Sequence, residues 1–185
     1  MSSNFWRDKK KSRPAEILTC EVLNNATIDY SIEDVAETPE CYHKGDIRAV
    51  DAWNDEYYID VKDDSRIGGI VNGRWIGTGN VLVEAKVWSY KEKRWLKPNI
   101  ECDYNALAVV SQDTKHIYII DFDILKKIYK DGKPYSKDHY GDDGKLSQKT
   151  IGTLCSLDMI EMNHGLLYII EYDETHNPTN IQKIA

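Results

Sequence analysis

No apolar run in this sequence approaches the roughly 18 residues that a membrane-spanning helix needs. Residues 1–13 are polar and basic, without the apolar stretch of a secretory leader. A chain of this kind is expected in the cytoplasm, away from membranes. Cysteine is sparse and scattered, at positions 20, 41, 102 and 155, with no C-x-x-C pair. Ligand spacing for zinc is therefore missing, and the four read as reduced structural thiols. The histidines, at 43, 116, 139, 164 and 176, form no H-E-x-x-H or comparable pattern, which leaves them ordinary core or surface roles. There is no G-x-S-x-G and no obvious Ser–His or Cys–His pairing. Gly77-Thr78-Gly79-Asn80 matches neither a P-loop nor a dinucleotide fingerprint. Repeats, heptads and low-complexity tracts are also missing. The net charge of −7 argues against a surface coated with cations for nonspecific DNA binding, although a local basic surface remains compatible with it.

What is present is a length of 185 residues with 41% apolar and 30% charged side chains, enough for one domain with a true core. Residues 14–25 predict a short helix, with Pro14 in its first turn and a stripe of Ile17, Leu18, Val22 and Leu23. Residues 26–44 predict an acidic connector with a helical turn near Ile32 to Ala36. Two strands, Ile47 to Trp53 and Tyr57 to Lys62, follow as a hairpin around Asn54-Asp55-Glu56. Five glycines at 68, 69, 73, 77 and 79 predict a mobile loop over 63–79. Further strands are expected at Val81 to Trp88, Ala106 to Ser111, His116 to Phe122, Thr150 to Leu157 and Leu166 to Tyr172. A short helix from Asp123 to Lys130 would be capped by Asp123, and 131–149 reads as loop. The sum is an α+β or α/β fold with a central mixed sheet of about five or six strands and flanking helices.

Chemistry concentrates in the first hairpin. Asp60-Val61-Lys62 on a strand sends both ionic side chains to one face, because side chains alternate with period two. An antiparallel hairpin centred near Trp53 sets Asp46 beside Asp60. Two carboxylates so close repel unless a cation joins them. Mg²⁺ would accept an oxygen from each, plus waters and a phosphate oxygen. Lys62 would orient or help deprotonate a water, or stabilise developing negative charge. Glu16, on the preceding helix, could add a third carboxylate or a water bridge. Asp51 competes with Asp46, since a turn centred between Asp55 and Glu56 would pair it with Asp60. Glu84 and Asp103 could approach the same face, without a spacing argument for either. The bland alternative is a same-face Asp60–Lys62 ion pair on an exposed strand, worth under ~1 kcal/mol.

Two basic clusters flank these acids. Arg7, Lys9, Lys10, Lys11 and Arg13 open the chain. Lys86, Lys91, Lys93, Arg94 and Lys97 alternate with Trp88, Tyr90 and Trp95, a composition able to follow a phosphate backbone and stack a base. The alternative for both is a solvated edge or loop.

Gly45-Asp46-Ile47, the thirteen residues between Asp46 and Asp60, and Ile59-Asp60-Val61-Lys62 together resemble the PD-(D/E)xK nuclease superfamily. Gly45 stands where the family usually has proline, and Asp60 where it more often has glutamate. The resemblance implies a restriction-endonuclease-like core of helix, three-stranded meander, helix and further strand, with Mg²⁺ (or Mn²⁺) as cofactor and DNA as substrate. It implies Asp46 and Asp60 as metal ligands, Lys62 as catalytic lysine and Glu16 as the helix acid. Residues 97–105, with Pro98, offer no obvious helix after the third strand. The pattern, including Asn80-Val-Leu-Val-Glu84, is similar to small phage or prophage members. The function so read is a Mg²⁺-dependent endonuclease whose metal-activated water attacks a phosphodiester, with Lys9, Lys10, Lys11, Arg13, Lys91, Lys93 and Arg94 holding DNA. A homodimer would address two strands, although the sequence shows no interface. The rivals are a non-catalytic phage accessory protein that binds nucleic acid or protein on this scaffold, and an acidic assembly protein with solvated hairpin acids.

Overall fold

The computed structural model describes residues 3–26, 29–41, 44–141 and 143–185, and the side chains of all of these except 3–11 and 99. The architecture is mixed α/β. It opens with helix α1 (Ser3–Asn25), continues with β1 (Tyr30–Asp34), β2 (Ile47–Asp51) and β3 (Glu56–Asp63), and then enters β4 (Gly69–Val71) and β5 (Arg74–Ile76). Next come β6 (Asn80–Ser89), β7 (Arg94–Leu96), β8 (Ala106–Ser111), β9 (His116–Asp121) and α2 (Phe122–Ile128). The chain finishes with β10 (Lys133–Tyr140), β11 (Leu146–Ser156), α3 (Leu157–Met162), β12 (Leu166–Tyr172) and β13 (Pro178–Lys183).

These strands make a seven-stranded sheet in the order β1-β2-β3-β8-β9-β12-β13, a four-stranded sheet β10-β11-β6-β7 and a small β4-β5 ribbon. The large sheet is antiparallel except where β3 lies parallel to β8, with Asp60 beside Leu107 and Lys62 beside Val109. The single central sheet of five or six strands expected from sequence is thus replaced by two main sheets.

Period-two alternation divides the large sheet between two cores. One face carries Ile47, Ala49, Ile59, Val61, Ala106, Ala108 and Ile117, packed with Ala15, Leu18, Val22 and Leu23 of α1. The other carries Tyr58, Leu107, Val109, Tyr118 and Ile120, packed with Val81 and Val83 of β6, Cys155 of β11 and the short helices.

Several local expectations are corrected. Helix α1 begins at Ser3, so Pro14 lies inside it rather than in its first turn. Ile17 is exposed, and the buried face runs through Ala15, Leu18, Thr19, Val22 and Leu23, the spacing a helix needs. The acidic connector holds β1, which pairs Asp34 with Ile47 and Tyr30 with Asp51. The glycine-rich segment is a ribbon: Gly68 and Gly77 have φ of +82° and +121°, and a Cβ on either would strike backbone of the other turn at under 3 Å, so glycine allows this close crossing. The loop expected over 131–149 is mostly β10 and the start of β11, paired from Lys133 with Leu154 to Tyr140 with Leu146. Helix α2 is capped by Asp121, whose Oδ1 accepts from the Ile124 amide at 2.9 Å, and not by Asp123. Between β3 and β8 the described chain has β4 to β7 and one 3-10 turn, Asn99–Glu101, in place of a helix. No helix among the described residues is long and apolar enough to cross a membrane.

Candidate active site

The β2–β3 hairpin sets the frame. Its ladder runs from Val50 opposite Glu56 to Ile47 opposite Ile59. Asp51 closes the turn, its Oδ1 accepting from the amides of Trp53 and Asp55 at 2.9 Å each. Asp51 therefore belongs to the far end of the hairpin and does not compete for Asp60.

Past Ile47 the two strands separate while β3 continues. Asp46 bridges the separation. Its amide donates to Ile59 O at 2.9 Å, and its Oδ2 accepts from the Val61 amide at 2.9 Å. Those contacts bracket Asp60 on both sides. Gly45 makes the approach possible, because a Cβ there would lie 2.8 Å from Ile59 O. Its φ of +154° and this lack of space explain a small residue where the resembled family carries proline.

Ile59 and Val61 face α1, so alternation turns Asp60 and Lys62 to the opposite face. There Lys62 Nζ stands 2.7 Å from Asp60 Oδ2. Beyond that ion pair, the buried Oδ2 has no hydrogen-bond donor among the described residues. Lys62 keeps 46% of its side-chain surface accessible and Asp60 18%, so the ammonium reaches solvent while the carboxylate is mostly enclosed, and the two mark the candidate cleft.

The electrostatics follow from this crowding. Burial, followed by repulsion from Asp60, pushes the Asp46 carboxyl up to about 7; the Val61 amide and Lys62 oppose the rise, while Glu16 adds to it. For Lys62, burial lowers the ammonium, but Asp60, then Asp46 and Glu84, outweigh it and hold the group above its ordinary value. The Tyr104 phenol is pushed well up by burial, with Asp60, Cys102, Glu84 and Asp46 reinforcing the effect.

Glu84 and Tyr104 thus join the cluster. Glu84 comes from β6 in the other sheet, where its Oε1 accepts from Thr150 Oγ at 3.5 Å. Tyr104 precedes β8, is 3% exposed and stacks on Phe122 with ring centroids 4.0 Å apart. Its hydroxyl has no hydrogen-bond partner among the described residues. Nothing in the spacing singles out Tyr104, because it reaches the cleft from a different element.

Glu16 is brought close enough to act on Asp46 by charge, but it belongs to α1. It is 2% exposed, and its oxygens already accept from Ser12 Oγ at 2.6 Å and an Arg13 nitrogen at 3.1 Å. Among the described residues no group of three or more His, Cys, Asp or Glu side chains converges to hold a metal ion. The donor set is the pair Asp46 and Asp60.

The basic residues fare differently from one another. Arg13 forms a two-point ion pair with Asp34, at 2.8 and 2.5 Å, and also reaches Glu16 and, at 3.8 Å, Glu37. Its charge is engaged by these carboxylates, while 24% of its side-chain surface stays exposed. The side chains of Lys9, Lys10 and Lys11 lie outside the described residues. Lys91, Lys93 and Arg94 sit on the exposed β6–β7 hairpin, where Lys93 has φ +51° and Arg94 pairs with Glu92 at 2.6 Å. His43 lies outside the described residues. His116 is buried, with Nδ1 2.6 Å from Thr114 O, and the four cysteines are free. Comparison of the chain with family models, curated proteins and solved structures gives no match.

Proposed function

We propose that this protein is a Mg²⁺-dependent DNA phosphodiesterase of endonuclease type, built on a restriction-endonuclease-like core. The observation that carries the reading is Asp46 bracketing Asp60 while Lys62 stands 2.7 Å from the second carboxylate. The order of elements supports it: a helix, the antiparallel meander β1-β2-β3, then β8 laid parallel to β3. The crossover through a second sheet, where the resembled family has a helix, is the main departure.

The residues present fit a divalent cation. Burial, reinforced by repulsion from Asp60, raises Asp46 to about 7, and the buried Asp60 Oδ2 has spare acceptor capacity. Hard oxygen donors of this kind suit Mg²⁺ or Mn²⁺, with other positions left to water and phosphate. When bound, the cation supplies positive charge to the phosphate and acidifies water.

The protein's own groups do the rest. Asp46 must give up its proton before both carboxylates can face one cation. Lys62 stays protonated at neutral pH, so it acts as an electrostatic clamp on the growing charge of the phosphoryl oxygens and not as the base. Glu16, anchored by Arg13, keeps negative potential behind Asp46. Tyr104 supplies a buried hydroxyl with an unused donor at the edge of the cluster.

The test is incubation with supercoiled, linear and branched DNA in Mg²⁺, Mn²⁺ or EDTA. Cleavage should require metal, fall by orders of magnitude in Lys62→Ala and Asp60→Asn, and leave DNA affinity in place. The absence of a third converging acid among the described residues favours a second reading, a non-catalytic binding module on the same scaffold. That reading predicts partner or DNA affinity indifferent to both substitutions and no cleavage in any metal.

A further inference from the structure

The four-stranded sheet presents an exposed face that the chemistry above does not use. Cross-strand partners point to the same side, and Lys149 pairs with Trp88, which pairs with Trp95. Lys86 lies two residues from Trp88 and so joins this face. The two indoles meet edge to face, with centroids 5.3 Å apart, and Trp95 remains 52% exposed. On the reverse side of the same strands Val87, Ser89 and Thr150 are buried, so this half of the sheet has one inner and one outer surface.

Between residues 86 and 97 the chain carries five basic side chains and one acidic, in a protein of net charge −7. Of these, Arg94, opposite Ser89 on the reverse side, is engaged by Glu92, and Lys97 lies 4.0 Å from Asp103. A half-buried Trp88 and an exposed Trp95 beside Lys86 and Lys149, with Asp138 opposite Lys149, match a polyanion that also offers flat π-surfaces. Duplex DNA hides its base faces in the stack, whereas an unpaired strand exposes them, and stacking on tryptophan tolerates any base.

The platform also leads to the cleft. A bulge in β6 separates Glu84, opposite Gly152, from Lys86, opposite Ile151. Bulges re-aim side chains; here Glu84 turns to the Thr150 side, whereas Lys149, Ile151 and Thr153 of β11 keep one face. The platform side therefore continues to Val83, which shares a core with Tyr58 on the Asp60 and Lys62 face of β3. We infer that the outer face around Trp88, Trp95, Lys86 and Lys149 is a stacking platform for an unpaired DNA strand, which it delivers to the Asp46–Asp60–Lys62 cleft. For its choice of DNA this rests on the phosphodiesterase reading.

The test separates binding from cleavage. Fluorescence anisotropy in EDTA compares labelled oligothymidine of about 20 nucleotides with a blunt duplex of equal length. The single strand should bind at least about tenfold more tightly than the duplex, and Trp95→Ala should weaken it about tenfold. Lys86→Glu should weaken it too and flatten its salt dependence. Equal affinity for both DNAs, or two variants that bind like the parent, overturns the platform. So does concentration-dependent self-association that Trp95→Ala abolishes in a protein that binds no oligonucleotide. Binding as described without cleavage in Mg²⁺ would overturn the phosphodiesterase reading and leave the platform standing. Duplex cleavage indifferent to Trp95 would do the reverse.

Discussion

The carboxylate of Asp46 and the amide of Val61 are joined by a 2.9 Å hydrogen bond that fills a gap in a β-ladder. Strand β2 has already left β3 at that level, so the Val61 N–H would otherwise lose its partner. The same carboxyl is pushed up by burial and then by Asp60, which ties the folding of the hairpin to the charge state of the cleft.

Stability should therefore fall as pH rises. Asp46 holds its proton more tightly folded, at about 7, than unfolded, near 3.8. Its contribution is complete below the lower value and is lost as pH passes the upper one. Urea melts between pH 4 and 8 should show a loss of roughly 2–4 kcal/mol across this window, less whatever coupling to Asp60 absorbs. Asp46→Asn should remove most of that slope, and saturating Mg²⁺ should flatten it in the parent chain. An unchanged slope in the variant would count against the buried charge.

Gly45→Ala should be destabilising by about 1–3 kcal/mol, because the new methyl meets Ile59 O and the backbone is held at φ +154°. Chemical denaturation measures the loss. Any cleavage activity should fall with it, since Asp46 is the next residue and would be displaced from β3.

Arg13→Met leaves Asp34 and Glu16 without their cation. A loss of about 1–3 kcal/mol is expected in urea, with DNA affinity unaltered because the guanidinium is held by Asp34 and Glu16. A drop in affinity at unchanged stability would assign Arg13 to the DNA surface.

Tyr104→Phe should be neutral or stabilising by up to ~1 kcal/mol, because it removes a buried hydroxyl with no partner in the described structure. If kcat falls while stability holds, the hydroxyl donates to a group present only with substrate bound. Equal kcat assigns it to packing on Phe122.

The hairpin was legible because its determinants are local. Alternation from Ile47 to Lys62 and a turn centred on Trp53 set Asp46 opposite Asp60. The part played by Asp51 was not legible: the sequence leaves it a rival of Asp46, and the structure shows its Oδ1 accepting from the Trp53 and Asp55 amides. Nor was strand β10, because most of its side chains are exposed on both faces and no apolar alternation marks it. Gly68 and Gly77 read as loop since their purpose, a close backbone crossing, lies in a contact eight or nine residues away. The start of α1 is polar and has no apolar stripe to announce a helix. Glu84 arrives from β6 and Tyr104 from the segment before β8, and only the tertiary arrangement brings them to Asp60.

Because Asp46 meets β3 through a fixed alignment of β2 and β3, the cleft behaves like a reading frame. One residue gained or lost in the turn after Asp51 would rotate Ile59 and Val61 outward and drive Asp60 and Lys62 into the oily underside of α1. Loop length, ordinarily the most forgiving variable in a protein, is here as constrained as the acids themselves.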